Sequence, residues 1–356
     1  MKIFVINPGA GSTRIALFEG ENKILEEKII HAPKELSNFD KTTDQLPMRR
    51  DVVKKKMEES GIAVSELSAV VARGGPFCPL ESGTYLIERT IVDDVLNGRV
   101  QADHASNLGV LIAYELTKDT EIPAFFVDPV SIDEFDDLAR ISGLPELPRR
   151  SLSHALNIKM VVRKAAQFLE KDYRKLTFIV AHLGTGISIA LHKMGKLVDV
   201  NNANDSGPMA PQRAGTLPVT GLVKLCYSGK YRQEEMINRI TRTGGLYAHL
   251  GIDSISDIEA RIDSGDRKAK LVYEAMIYQI AKEIGAMAAA AKGVVDVIII
   301  TGGMAFSERL VQKIKEYILY LAPVMVYPGE NEMEALALGA LRVLRNEERP
   351  KHYIPY

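Results

Sequence analysis

A short glycine-rich turn set between two β-rich segments occurs twice in this chain, once near the start of each half. The first copy reads Ile6-Asn7-Pro8-Gly9-Ala10-Gly11-Ser12-Thr13-Arg14, and the second Ala181-His182-Leu183-Gly184-Thr185-Gly186-Ile187-Ser188. Each predicts a strand, a tight turn and a returning strand. The order of segments after each copy also repeats. In the first half, Lys2–Asn7, Ser12–Glu19 and Lys23–Ile30 predict an antiparallel meander, with later strands at Ala69–Ala72 and Ala124–Val127. In the second half, Leu176–Leu183, Ile187–His192 and Leu197–Asn201 predict the same meander, with strands at Val294–Ile300 and Val324–Tyr327. Apolar spacing predicts helices over Asp51–Ser60, Ser106–Thr117, Ser151–Lys171, Arg267–Lys292, Met304–Leu321 and Glu332–Arg345. A duplicated α/β plan accommodates this order.

Composition removes several classes. The chain has 356 residues, a length suited to about two domains. Its 45 Lys+Arg against 46 Asp+Glu leave a net charge of −1, so charge alone would not hold it to nucleic acid. Two cysteines make neither a disulfide framework nor a four-cysteine zinc site, and a reducing cytoplasmic setting is expected. The N-terminal apolar run stops at Asn7-Pro8-Gly9, too short for a signal peptide, and no run approaches the roughly 20 apolar residues that span a bilayer. Lys54–Lys56 reads as a solvated helix face, Cys78 as a small apolar residue and Cys226 as core.

Several residues carry potential chemistry. Glycine lets a backbone approach phosphate and point N–H groups at it, and Ser12, Thr13 and Thr185 can add hydroxyl donors. An ordinary tight turn is the competing reading of each hairpin. Thr301-Gly302-Gly303 ends an apolar strand where α/β sheets bind ligands, or else merely caps a helix. Arg73 and Arg213 sit beside glycines, where a guanidinium can clamp phosphate or carboxylate oxygens. His154 and His182, near a helix start and at a strand end, read on their own as satisfied structural residues. Asp128 and Glu332 read on their own as a turn former and a favourable first-turn helix charge.

The order of these motifs resembles the acetate and sugar kinase, Hsc70 and actin superfamily, and within it the acetokinase family. The likeness is greatest to butyrate and branched-chain fatty-acid kinases. It runs through Asn7-Pro8-Gly9, Arg73-Gly74-Gly75, Ser153-His154-Ala155-Leu156-Asn157, His182–Gly186, Gln212-Arg213-Ala214-Gly215, Thr301-Gly302-Gly303 and Pro328–Ala335. The resemblance implies two ribonuclease-H-like, actin-like ATPase domains with mixed sheets flanked by helices and a nucleotide cleft between them. The expected division is 1–160 plus 333–356, with the last helix packing back, and 161–332.

It further implies reversible, in-line phosphoryl transfer from ATP to a short carboxylic acid, giving ADP and an acyl phosphate, with Mg²⁺. Arg73, Asp128, His154, His182 and Arg213 would be catalytic. Asn7, Gly9, Ser12, Thr13, Arg14, Gly184, Thr185, Gly186, Gly302 and Gly303 would bind the nucleotide, and Asn7 and Glu332 the metal, with Glu330 a rival to Glu332. A homo-oligomer, dimer or higher, is expected.

The chain departs from acetate kinases in four places: Ala10 replaces a hydroxyl residue, Arg14 a lysine and Ser153 a bulky phenylalanine, and Arg73 runs straight into Gly74-Gly75 where acetate kinases have extra residues. With Gly74 and Gly75, Ser153 would line an acyl pocket with room for butyrate or isobutyrate. Acetate or propionate is the alternative substrate. A non-acyl kinase or a nucleotide-gated binding protein of the same superfamily is a more distant alternative.

Overall fold

The computed structural model describes residues 1–355. It divides into two compact units, one made of Met1–Asp133 with the chain from Asn331 onward, the other of Glu134–Glu330.

The first unit is built on a six-stranded mixed sheet. Strands β1 (Lys2–Pro8), β2 (Ser12–Glu19) and β3 (Asn22–Ile30) form the meander, and β4 (Ala69–Arg73), β5 (Thr84–Leu86) and β6 (Ala124–Val127) complete the order β3-β2-β1-β4-β6-β5. β1 pairs antiparallel with β2, setting Asn7 opposite Arg14, and parallel with β4. β1, β4 and β6 are almost wholly apolar because helices cover both sheet faces, whereas β3 lies at an edge and alternates. Helix Asn107–Thr117 approaches closely at Gly109, where a Cβ would lie 2.5 Å from the Arg73 carbonyl oxygen. The last helix, Glu332–Leu344, packs against β6 through Gly339, where a Cβ would lie 2.5 Å from Val127 Cγ2.

The second unit repeats the plan. β7 (Thr177–Leu183), β8 (Ile187–Lys193), β9 (Lys196–Val200), β10 (Val297–Gly302) and β11 (Val324–Pro328) take the order β11-β10-β7-β8-β9. β7–β8 and β8–β9 are antiparallel, and β7–β10 and β10–β11 parallel. Strand for strand this matches β1, β2, β3, β4 and β6 of the first unit. Helix Arg267–Ala290 buries Ala269, Val272, Tyr273, Met276, Ile277 and Ile280, the i, i+3, i+4 stripe that turns one helix face to a core. Lys159 and Glu134 form a buried ion pair of 2.6 Å, and Glu134 also accepts from Leu197 N–H, so the start of this unit is fastened to the β8–β9 hairpin.

The structure refines some sequence expectations. The expected break at 160/161 lies inside helix Ala155–Phe168, and the compact unit begins at Glu134. The helix expected over Met304–Leu321 is a 3₁₀ turn, Gly303–Phe306, followed by Glu308–Ile318, because Ser307 is extended and caps the second piece by accepting from Leu310 N–H. Cys226 is exposed rather than core, at the end of helix Val219–Cys226, which buries no residue. The sequence pattern does not predict β5, which at three residues is too short to show one. No helix among the described residues is long and apolar enough to cross a membrane.

The Gly339 contact yields a test. Gly339→Ala is expected to lower stability by about 1–3 kcal/mol, the cost of overpacking, read from urea unfolding midpoints. Adding Val127→Ala should recover part of the loss, and additive effects of the two changes would contradict the contact.

Candidate active site

The first turn is held from within. Arg49 is fully buried, and its guanidinium donates to the carbonyls of Gly9 (2.8 Å), Ala10 (2.9 Å) and Ser12 (3.3 Å). Ser12 O also accepts from Gly9 N–H at 2.7 Å, and Gly11 O from His31 N–H at 3.0 Å. All four turn carbonyls are thus bonded within the unit, so polarity is left for an incoming group at the turn's N–H side. Burial lowers the Arg49 pKa, but a guanidinium this far above neutrality keeps its charge. Sequence reasoning missed Arg49, since nothing distinguishes it from its neighbours Arg50 and Lys54. It also set Thr13 among the outward hydroxyls. Thr13 is fully buried, its hydroxyl against His31 Nε2 at 2.9 Å and within 3.3 Å of Arg49, so it supports the turn rather than lining it. Ser12 is half-buried and Arg14 exposed.

Arg73, Asn7 and Glu332 meet in the same unit. Arg73 closes β4, and Glu332 opens the last helix, where the dipole favours a carboxylate. Arg73 Nη1 lies 2.9 Å from Glu332 Oε1 and 3.0 Å from Oε2, while Asn7 Nδ2 donates to Oε2 at 2.8 Å. Arg14 and Glu332 share a cavity of about 400 Å³. Gly74 and Gly75 have a packing reason: a methyl on Gly74 would press on Pro129, and one on Gly75 would overlap Asn107. Asp128 is buried with φ 38°, and its carboxylate accepts from Gly83 N–H at 2.8 Å. His104 has its pKa lowered by burial first and by the Arg73 charge second. Cys78 lies against the Tyr353 hydroxyl at 3.3 Å, with its thiol pKa raised by burial, which fits the inert reading.

In the second unit Arg213 lies over the second turn. A methyl at Gly186 would overlap the Arg213 guanidinium, so only glycine admits it there. Gln212 fixes the approach: its N–H donates to Thr185 O at 3.3 Å and its side-chain amide to Asp253 Oδ2 at 2.6 Å. Burial lowers the Arg213 pKa.

His154 and His182 are stacked, with centroids 3.9 Å apart and planes 11° from parallel. His154 Nδ1 is 3.0 Å from Ser188 Oγ, and His182 Nδ1 is 2.9 Å from Asn157 Oδ1. Glu330 Oε1 lies 3.8 Å from His182 Nε2. The two rival carboxylates therefore have different company, Glu332 with Arg73 and Asn7, Glu330 with His182. Ser153 Oγ is buried with no hydrogen-bond partner among the described residues.

Beside this turn opens a cavity of about 590 Å³, lined by Gly184, Thr185, Asp253, Glu259, Gly303 and Met304 among others. That volume lies within the roughly 300–1,000 Å³ usual for small-molecule sites. Gly303 has no atom within 4 Å of a would-be Cβ, so its backbone is open to the cavity, while Gly302, at φ 90°, is locked against the Leu183 backbone. Glu259 accepts from the Tyr273 hydroxyl (2.6 Å) and Ser307 Oγ (2.7 Å), which fixes that wall. Asp253 and Glu259 carry no glycine or spacing signal in the sequence that would single them out.

Two copies of one mixed sheet, each led by a glycine turn, make the actin-like ATPase fold. Comparisons agree. The Acetokinase family profile matches residues 147–332. The chain is 50% identical over 352 residues, 99% of each sequence, to the probable butyrate kinase 2 of Caldanaerobacter subterraneus subsp. tengcongensis. In fold it is similar to the acetate kinase of Porphyromonas gingivalis, with TM-score 0.80 at 20% identity, covering 96% of this chain and 99% of that one. It is also similar to a propionate kinase of Francisella tularensis subsp. tularensis SCHU S4, with TM-score 0.74 at 18% identity, covering 95% and 98%. The chain belongs to the acetokinase family, and it is a carboxylate-phosphorylating kinase.

Because Gly186 makes room for Arg213, Gly186→Ala should act like damage to the arginine. The expected outcome is a fall in kcat of roughly 10²-fold, the loss typical of one misplaced charge-stabilising donor, with the melting temperature changed by only a few degrees. Wild-type kcat in a folded Gly186→Ala enzyme would contradict that reading.

Proposed function

We propose that the enzyme phosphorylates butyrate or isobutyrate with ATP, reversibly, giving the acyl phosphate and ADP. The observation that carries this reading is Arg213 lying over Gly186, in the turn whose Gly184 and Thr185 line the cavity of about 590 Å³, in a chain 50% identical to a probable butyrate kinase.

The chemistry follows from the acceptor. A carboxylate is already ionised at pH 7, its pKa being about 4, so no base is required. One carboxylate oxygen forms a bond to the γ-phosphorus, and the bond from that phosphorus to the β–γ bridging oxygen breaks. The electron pair leaves with ADP, and no proton moves. The protein must supply alignment and cationic or N–H donors to the transferring oxygens. Arg213, His154 and His182 are assigned that task in the second unit, and Arg73 in the first. Thr185–Gly186 and Ala10–Ser12 are assigned the nucleotide's phosphates through main-chain N–H groups, with Arg14 as a flanking charge, while the N–H groups of Gly184 and Gly9 close their own turns on Gly186 O and Ser12 O. The cavity beside Gly303 takes the nucleoside.

The donor set suits Mg²⁺, which prefers hard oxygens and commonly takes only one or two carboxylates from protein. The Glu332 carboxylate and the Asn7 amide oxygen would hold it in exchange for Arg73, whose Nη1 lies 2.9 and 3.0 Å from the two Glu332 oxygens and 3.4 Å from Asn7 Oδ1, and bound there it would neutralise phosphate charge. Asp128 is assigned a positioning role through its bond to Gly83. Ser153 is assigned to a wall of the acyl pocket, where its small side chain takes up less room than the phenylalanine of acetate kinases.

The reading is tested by a kcat/KM series over acetate, propionate, butyrate, isobutyrate and isovalerate with MgATP, the product trapped by hydroxylamine. Hydroxamate should form, and the four-carbon acids should win, since each fitted methylene contributes about 0.8 kcal/mol. Ser153→Phe should cut the butyrate-to-acetate ratio several-fold. A wild type that prefers acetate, or a ratio that does not move, would give the assignment to acetate or propionate.

A further inference from the structure

Asn157 stands one helical turn after His154 and is buried, yet the chemistry above gives it no role. Its side chain has one possible orientation. One amide atom lies 2.6 Å from Glu330 O and 3.5 Å from Gly329 O. Both are carbonyls and can only accept, so that atom is the amide nitrogen. The other atom, the amide oxygen, therefore faces His182 Nδ1 at 2.9 Å, and Thr301 Oγ1 lies 3.2 Å from the same oxygen. An oxygen that can only accept requires a proton on Nδ1.

We propose that Asn157 is a positioning residue that holds His182 as the Nδ1–H tautomer and so makes Nε2 the ring atom presented to the Gly184 turn. The far side of the ring agrees with this. A Cβ built on Gly184 would lie 3.5 Å from His182 Nε2 and 3.8 Å from Glu330 Oε1, so Nε2 sits over the turn. The ring plane is held by the stacked His154, itself fixed by Ser188. The chain from the Gly329 and Glu330 carbonyls through Asn157 to His182 thus transmits the position of the 328–330 loop to the ring. That loop is in turn pinned by the reciprocal Gly302–Gly329 backbone pair, at 3.1 and 3.0 Å. The catalytic consequence rests on the proposed placing of His182 at the phosphoryl group. With Nδ1 occupied, the ring cannot turn over to offer the other nitrogen.

The test uses the full-length enzyme with ¹⁵N-labelled histidine. Long-range ¹H–¹⁵N correlation distinguishes pyrrole-type from pyridine-type nitrogens, and His182 is assigned among the seven histidines by its loss in His182→Gln. The expected wild-type spectrum shows a pyrrole-type Nδ1 and, in the neutral ring, a pyridine-type Nε2. Asn157→Asp keeps the acceptor facing Nδ1 and should keep the proton there, but it loses the donor to the Glu330 and Gly329 carbonyls, and its negative charge favours a second proton on Nε2. Asn157→Leu should mix the two tautomers and lower kcat about tenfold or more, as loss of a histidine's orienting partner does, while the KM for nucleotide stays within about twofold. A wild-type spectrum with the proton on Nε2 overturns the proposal, whether or not either variant folds. A tautomer as stated, switched by Asn157→Leu with kcat unchanged, would uphold the role of Asn157 and remove His182 from the reaction.

Discussion

The guanidinium of Arg49 sits behind the first glycine turn and takes three of its carbonyls, while His31 N–H takes the fourth. A backbone turn carries donors and acceptors in equal number, so it has no preference for anions until one set is consumed. Here the acceptors are consumed from inside, Gly9 N–H being spent on one of them, so what the turn offers an anion is its N–H groups beyond Gly9. The cost is a cation without exposure, and the carbonyls it satisfies offset that cost, since a buried carbonyl left unpaired costs about 1–3 kcal/mol. Lysine would keep the charge but lacks the planar fork that reaches several carbonyls at once.

The second unit reaches a related end by another route. There Arg213 crosses in front of Gly186, and its loop is held by Gln212 to Thr185 on one side and Asp253 on the other. Duplicated topology thus carries two different electrostatic solutions. One turn is made a donor surface by its support, and the other is given a cation's charge at a fixed place. This division suits transfer to a carboxylate, where two anionic reactants must be brought together and no proton has to be removed.

Much of this is legible in the sequence because glycine and strand patterning are local signals. The two hairpins, the strands after them and Arg213 beside its glycines all fall where the residues indicate, and β2 and β6 match residue for residue. Arg49, Asn157, Asp253 and Glu259 are not legible as functional residues. Arg49 and Asn157 act through partners far away in sequence: Arg49 lies 40 residues from Gly9, and Asn157 lies 173 from Glu330. Thr13 misleads for a related reason. A hydroxyl next to a glycine turn looks outward-facing until strand alternation and the buried His31 decide its side. Cys226 misleads because a mostly apolar helix reads as core, whereas helix Val219–Cys226 buries none of its residues.

The central claim is that a guanidinium fixed over the second glycine turn carries the phosphoryl transfer. Arg213→Ala with and without added guanidinium chloride tests it directly, at concentrations too low to unfold the protein. The account expects kcat to fall by roughly 10²–10³ with KM for the carboxylate changed far less, and expects the small cation to restore part of the rate by occupying the space over Gly186. A folded Arg213→Ala enzyme with wild-type kcat, needing no added cation, would contradict it.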